Sequence, residues 1–294
     1  MQSQNPVCVT AAGVTVVLSA PHPLKINRPF EPFLDGKGES VWHVELVPVE
    51  HLPELEGPPA ASLMEYMVFR HDRTFVYRYH DHCNQDKPYA VTEMNVPKKQ
   101  VTVSFLPQSR NFVSEVQNTF FHIRWDQILL KEGRLILHAS LVETEYGGIL
   151  FTGPSGIGKS TQANLWVQHQ NAVQINGDRP ILACRNGIWY GCGSPYAGSS
   201  ECYVNRSCPI RAIVRLERTG QNQLIRLGAV QAFRELYPQM TIAAWDSNCV
   251  DRVCDLTTDL ATSVPVYKMS CAPDESAVQM LRKELEKEGT LHGK

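Results

Sequence analysis

Apolar positions in the first hundred residues follow the period of a strand, not that of a helix. Residues 7–20 alternate weakly around Gly13, and 100–106 (QVTVSFL) alternate with period two. Residues 41–49 (VWHVELVPV) and 74–79 (TFVYRY) are rich in β-branched and aromatic side chains. Pro21, Pro23, Pro29, Pro32, Pro53, Pro58 and Pro59 punctuate the intervals. The pattern predicts a small β-rich domain over residues 1–110. The spacing then changes. Phe112, Val116, Phe120, Ile123 and Ile128 approximate the helical period, and Gly133 follows, so a connecting helix is expected over 111–130. From 131 to 294, strand-sized apolar runs alternate with helical stretches. Strands are expected at 135–142, 149–152, 172–175, 180–184, 188–190, 210–216, 224–227 and 264–269, and helices at 160–170, 230–237, 240–256 and 273–288. Asn186-Gly187 marks a hairpin turn before 188–190. The expected class is α/β (α+β), with a smaller β-rich domain first and an α/β domain over 131–294.

Composition removes whole classes of function. The chain has 294 residues, 43% hydrophobic and 20% charged, which excludes a disordered chain, a collagen-like fibre and a coiled coil. Lys and Arg number 28 against 30 Asp and Glu, a net charge of −2, so no bulk basic field favours nucleic acid. The longest apolar runs are strand-sized, and no membrane span is expected. The start, MQSQNPVCVT, lacks the basic and apolar regions of a secretory signal. Nine cysteines with no CxxC do not read as a disulfide framework, so free thiols and a cytoplasmic location are expected.

The strongest chemical signal is Gly153-Pro154-Ser155-Gly156-Ile157-Gly158-Lys159-Ser160, followed by Thr161, which matches GxxxxGK[ST]. Glycines allow a tight turn whose N–H groups face phosphate oxygens, and a helix starting near Lys159 adds partial positive charge. Lys159 reaches the β- and γ-phosphates, and Ser160 offers a hydroxyl to Mg²⁺. Chance would produce such a match in about one chain per hundred of this length at average residue usage. Here an apolar strand precedes the loop and a helical stretch follows it, as the motif requires. The motif implies nucleotide binding; it does not name the reaction.

The residues around the loop resemble the HPr kinase/phosphorylase family and its kinase-like relatives. The resemblance is carried by Leu137-His138-Ala139-Ser140-Leu141-Val142, by residues 153–161, by Asn176-Gly177-Asp178-Arg179 and by Gly193-Ser194-Pro195-Tyr196-Ala197-Gly198. It covers about residues 131–290 and not the first 110. It implies a P-loop fold of the phosphoenolpyruvate carboxykinase type, a mixed sheet with flanking helices, using ATP and Mg²⁺. By resemblance, Asp178 follows a strand beside the P-loop strand and takes the proton from a substrate hydroxyl, and His138 neutralises phosphate charge or interacts with that aspartate. Asp178 in a Gly-Asp pair is also ordinary turn material, and His138 also fits a hydrogen-bonded strand position. Arg179 fits a phosphate contact or a structural salt bridge equally. One departure is plain: the family often has two acids where this sequence has Gly177-Asp178. Metal binding then leans on Ser160 and Asp178, with Glu201 a candidate substitute or a solvated loop residue. The long helical signature of the bifunctional enzymes is not recognisable; residues 201–209 occupy that part of the chain.

Other clusters carry less. His80-Asp81-His82-Cys83, with His71 nearby, suggests a metal site, yet no fourth ligand has a recognisable spacing and an exposed polar hairpin is expected. Cys192, Cys202 and Cys208 match no zinc spacing. Met240 and Trp245 are expected on an apolar helical face. The leading reading is an ATP- and Mg²⁺-dependent kinase acting on a hydroxyl, serine in a peptide or protein. The alternatives are a small-molecule hydroxyl kinase and a nucleotide-binding module without chemistry, which Gly177 favours. The first domain would recognise the acceptor or a partner, or mediate homo-oligomer contacts.

Overall fold

A computed structural model describes residues 6–71, 74–81, 84–218, 222–270 and 272–291, the side chains of 86 and 288–291 apart. The chain divides into two compact units, Met1–Glu132 and Gly133–Lys294. Both are built on mixed sheets with flanking helices. Among the described residues no helix is long and apolar enough to cross a membrane.

In the first unit, β1 (Val7–Ala11) and β2 (Val14–Ser19) form a hairpin at Gly13. β3 (Ser40–Pro48) lies parallel to β2, and the sheet continues through β4 (Ala61–Ser62), β5 (Tyr66–His71), β6 (Thr74–Asp81), β7 (Asn84–Asn95) and β8 (Gln100–Phe105). The spatial order is β1-β2-β3-β8-β7-β6-β5-β4. Strict alternation in β3 buries Trp42, Val44 and Leu46 and exposes the residues between them. The long helix expected at 111–130 is three short ones: α1 (Arg110–Val113), α2 (Val116–His122) and α3 (Trp125–Lys131). Arg124, between the last two, has φ +54°, which ends one helix and redirects the next. Phe120 packs edge-on to both Phe30 and Trp125.

In the second unit, β9 (Arg134–Ile136) and β10 (Ala139–Thr144) replace the single strand expected at 135–142. The break at Leu137-His138 is bridged by residues 239–241: His138 N–H donates to the Gln239 carbonyl and Thr241 N–H to the Ile136 carbonyl. That use of Met240 explains why no helix begins there. The helix starts later, at α6 (Ser247–Ser263), where Asp246 caps it by accepting from Asn248 N–H. The remaining elements are β11 (Gly147–Thr152), α4 (Lys159–Gln170), β12 (Val173–Asn176), β13 (Ile181–Arg185), β14 (Ile188–Cys192), β15 (Ser207–Glu217), β16 (Gln223–Arg226), α5 (Ala229–Leu236), β17 (Val266–Ser270) and α7 (Glu275–Leu291). The described strands run β12-β10-β11-β15-β14-β13-β9, with β17 also against β15 and β16 against β17. β15 is long because it serves two partners in turn. Its first residues pair with β14, and the rest lies parallel to β11 on one side and β17 on the other.

α4 buries Lys159, Gln162, Ala163 and Trp166, positions spaced one and two turns apart. Trp166 is fully buried in a cluster with Val142, Phe151, Val214, Tyr267 and Leu281, which fixes α4, and α7 beside it, on the sheet face. The start of α4 is therefore held against the end of β11, and residues 153–158 span a fixed gap.

Candidate functional site

β11 ends at Thr152 and α4 begins at Lys159, so residues 153–158 form the connecting loop. Gly153 has φ +144° and Gly158, the residue before the helix, φ +115°, conformations that L side chains rarely adopt. A Cβ on Gly156 or Gly158 would meet nothing within 4 Å, so the mouth of the loop is open. The first N–H groups of α4 have no carbonyl within their own helix to pair with. Lys159 lies on the buried face of its helix, so its side chain returns along the loop. Its Nζ donates to the carbonyls of Gly153 (3.1 Å) and Pro154 (3.2 Å).

The break between β9 and β10 places His138 at the same end of the sheet. Its Nε2 lies 3.2 Å from Asp178 Oδ1. The second carboxylate oxygen of Asp178 lies 3.6 Å from Arg179 Nε. Burial first, and then Lys159, pull the His138 pKa below its ordinary value, with Asp178 opposing. The ring is therefore neutral at neutral pH, and its N–H donates to the carboxylate. Burial also lowers the Lys159 amine, with Asp178 opposing and Arg179 and Arg215 adding to the shift. His138, Lys159 and Asp178 thus form one electrostatic cluster, and Arg179 belongs to it.

Asp178 follows β12, the strand expected at 172–175, but that strand does not lie beside β11. β12 pairs with β10, and β10 lies between it and β11. The carboxylate reaches the cluster through its turn. Asn176, fully buried, accepts from the N–H groups of Asp178 (3.0 Å) and Arg179 (2.8 Å). Its Nδ2 donates to the carbonyls of Ser194 and Tyr196, both 3.1 Å away. Ser194 Oγ returns a bond to the Arg179 carbonyl at 2.6 Å. The 176–179 turn and the 193–198 segment are thereby one unit. An Asn two residues before an Asp is an Asx-turn composition, a signal that could have given Asn176 a role from sequence.

Gly177 has a local cause. A Cβ there would lie 1.9 Å from Ser200 Oγ and 2.3 Å from its Cβ, so Ser200 fills the space a second acid would need. Glu201 follows, exposed and with φ +49°. Two further cations flank the loop. Arg215 Nη1 would lie 2.7 Å from a Cβ on Gly153, while its Nε pairs with Glu235 (3.0 Å). Arg218 Nη2 donates to the Gly156 carbonyl (2.6 Å). Sequence reading missed both, because the parallel pairing of β11 with β15 brings them from about sixty positions away, beyond any local signal.

Among the described residues, no group of three or more His, Cys, Asp and Glu gathers as a metal site. Ser160 and Asp178 are both oxygen donors, which suits Mg²⁺, an ion that keeps waters and takes phosphate oxygens as its other ligands. Cys192 and Cys208 are free, and burial pushes their thiols up to about 11 and about 12. His80 is buried, contrary to an exposed hairpin. Two register shifts opposite Pro88, which has no N–H to pair, turn it inward. His82, Cys83 and Cys271 lie outside the described residues.

No family model matches the chain, and no curated protein matches it. One similar solved structure is the Hpr(Ser) kinase/phosphatase from Coxiella burnetii: 15% identity, over 53% of this chain and 96% of that one, with a TM-score of 0.34.

Proposed function

We propose that this protein is an ATP- and Mg²⁺-dependent kinase that transfers the γ-phosphate to a hydroxyl, serine in a peptide or protein. The observation that supports it is the meeting of His138, Lys159 and Asp178 beside an open loop of GxxxxGK[ST] sequence. The mixed sheet, with β11 antiparallel to β10 and parallel to β15, supports a P-loop fold of the phosphoenolpyruvate carboxykinase type over an all-parallel one.

On this reading the phosphates of ATP lie on the N–H groups of residues 153–161, and Lys159 turns its amine from the loop carbonyls to the β- and γ-oxygens. Ser160 and Asp178 would hold Mg²⁺, which supplies positive charge to the phosphate oxygens as the terminal bond breaks. Asp178 orients the acceptor hydroxyl and takes its proton as the oxygen attacks the γ-phosphorus. Neutral His138, donating to Oδ1, holds the carboxylate in place and leaves Oδ2 for the hydroxyl. Arg179 and Arg215 add charge to the phosphate end.

The test is a cell lysate incubated with the protein and labelled ATP, analysed by mass spectrometry beside a Lys159→Ala control. Label in a peptide or protein, absent from the control, supports the reading. Label confined to a low-mass metabolite moves the activity to a small-molecule acceptor. No label above the control contradicts kinase activity.

A further inference from the structure

The run Ile213-Val214-Arg215-Leu216 puts an arginine into a strand that is otherwise apolar there, with Ile213, Val214 and Leu216 all buried. β15 has β11 on one side and β17 on the other. Val214 and Leu216 face the cluster that holds α4. Strand alternation turns Arg215 to the opposite face, where Glu235 of α5 meets it. Taking a guanidinium out of water is costly unless its N–H groups find acceptors. This one finds few. Glu235 Oε2 lies 3.0 Å from Nε but too obliquely for a hydrogen bond, and Nε is sealed from solvent. Nη1 donates to the Leu216 carbonyl. Among the described residues that is the one hydrogen bond of the side chain, so most of its five N–H donors stay uncommitted.

Its place is the base of the 153–158 loop. Arg215 stands in register with Thr152, the last residue of β11. Nη1 would lie 2.7 Å from a Cβ at position 153, so Gly153 is what lets the guanidinium rest against the loop backbone. Lys159 Nζ donates to the carbonyl of that same Gly153 (3.1 Å), and the Arg215 charge helps to hold the Lys159 amine below its ordinary pKa. Two cations therefore converge on one glycine. Like charges brought this close, with water partly excluded, repel until an anion joins them.

In the nucleotide reading proposed above, loop N–H groups cradle the inner phosphates and Lys159 reaches the outer two. ADP would satisfy that cradle as well as ATP does. Arg215 reaches the loop from the strand side, next to Lys159, and its donors are additional to the cradle. Resting on that reading, we infer that Arg215 binds the terminal phosphate and sets a preference for nucleoside triphosphate over diphosphate, with Glu235 as the residue that positions it. The Glu235 charge holds the guanidinium at the end of β15, and because the contact is oblique it leaves the directional donors to the phosphate.

Calorimetric titration of the full-length protein tests it, with Mg²⁺ and either ADP or the β,γ-imido analogue of ATP, whose terminal phosphate is not transferred. The wild type should bind the imido analogue more tightly than ADP. Arg215→Gln should weaken the analogue at least about tenfold, the worth of one charge-assisted hydrogen bond, and change ADP affinity by less than about twofold. Retained ADP binding shows that the variant is folded. Arg215→Lys, which keeps the charge and loses the planar fork, should recover only part of the preference. Glu235→Ala should narrow the preference on its own and add nothing to Arg215→Gln, because it acts through that side chain. A wild type that binds neither nucleotide overturns the nucleotide reading and this inference with it. Binding of both without preference, or equal losses for both in Arg215→Gln, overturns this inference and leaves the nucleotide reading standing. Additive effects of the two substitutions overturn the role of Glu235.

Discussion

At position 177 the chain has no room for a side chain, because Ser200 Oγ already occupies it. Gly177→Ala should therefore shift the 198–200 turn and cost about 1–3 kcal/mol, as overpacking does. Ser200→Gly in the same molecule should return most of that loss, which paired urea titrations would show. The glycine is thus a packing necessity, and it does not by itself argue against catalysis. Asp178→Asn is the complementary test: it keeps the shape, removes the negative charge facing His138, and should spare nucleotide binding while abolishing transfer. The loop residues 153–161 were legible in sequence because each has a local reason: glycines at turns and a lysine on a buried helix face. Ser200 was not legible, since it meets Gly177 only after the 193–198 segment folds back through Asn176.

At the scale of elements, position depends on what holds the strands and α4 in register. Trp166 anchors α4 to the sheet, and Trp166→Ala should cost about 3–5 kcal/mol, read from chemical denaturation. Asn176→Ala removes the acceptor for two turn N–H groups and the donor to two carbonyls. On the proposed reading it should lower transfer far more than nucleotide affinity, because it frees the Asp178 turn and leaves the 153–158 loop alone. A split between the turnover rate and nucleotide affinity would show this. Most strands were readable from period-two alternation, but breaks were not. The gap at Leu137-His138 and the late start of α6 share one cause, the borrowing of residues 239–241 as an edge partner, and no window of sequence contains both sides. β7 was missed because Asn84, Asp86 and Pro88 mask its pattern.

Across the whole molecule, stability against pH is one sum of local shifts, and His122 contributes a clear one. Complete burial pulls its pKa from 6.5 to about 4, with the Asn118 carbonyl opposing. The unfolded chain then binds the proton first, so stability is flat above pH 6.5 and falls as pH drops toward 4. The difference is worth about 3 kcal/mol at the acid end. Urea titrations at pH 7 and pH 4 should show this much less in His122→Gln, which keeps one partner but cannot take the proton. In the function proposed for the second unit, Lys159 and Asp178 serve one phosphoryl transfer in separate roles. The direct measurement follows nucleotide binding and phosphate transfer to the labelled acceptor in wild type, Lys159→Ala and Asp178→Asn. Lys159→Ala should lose both, and Asp178→Asn should bind nucleotide as wild type does without transferring phosphate. Undiminished transfer by Asp178→Asn would contradict it.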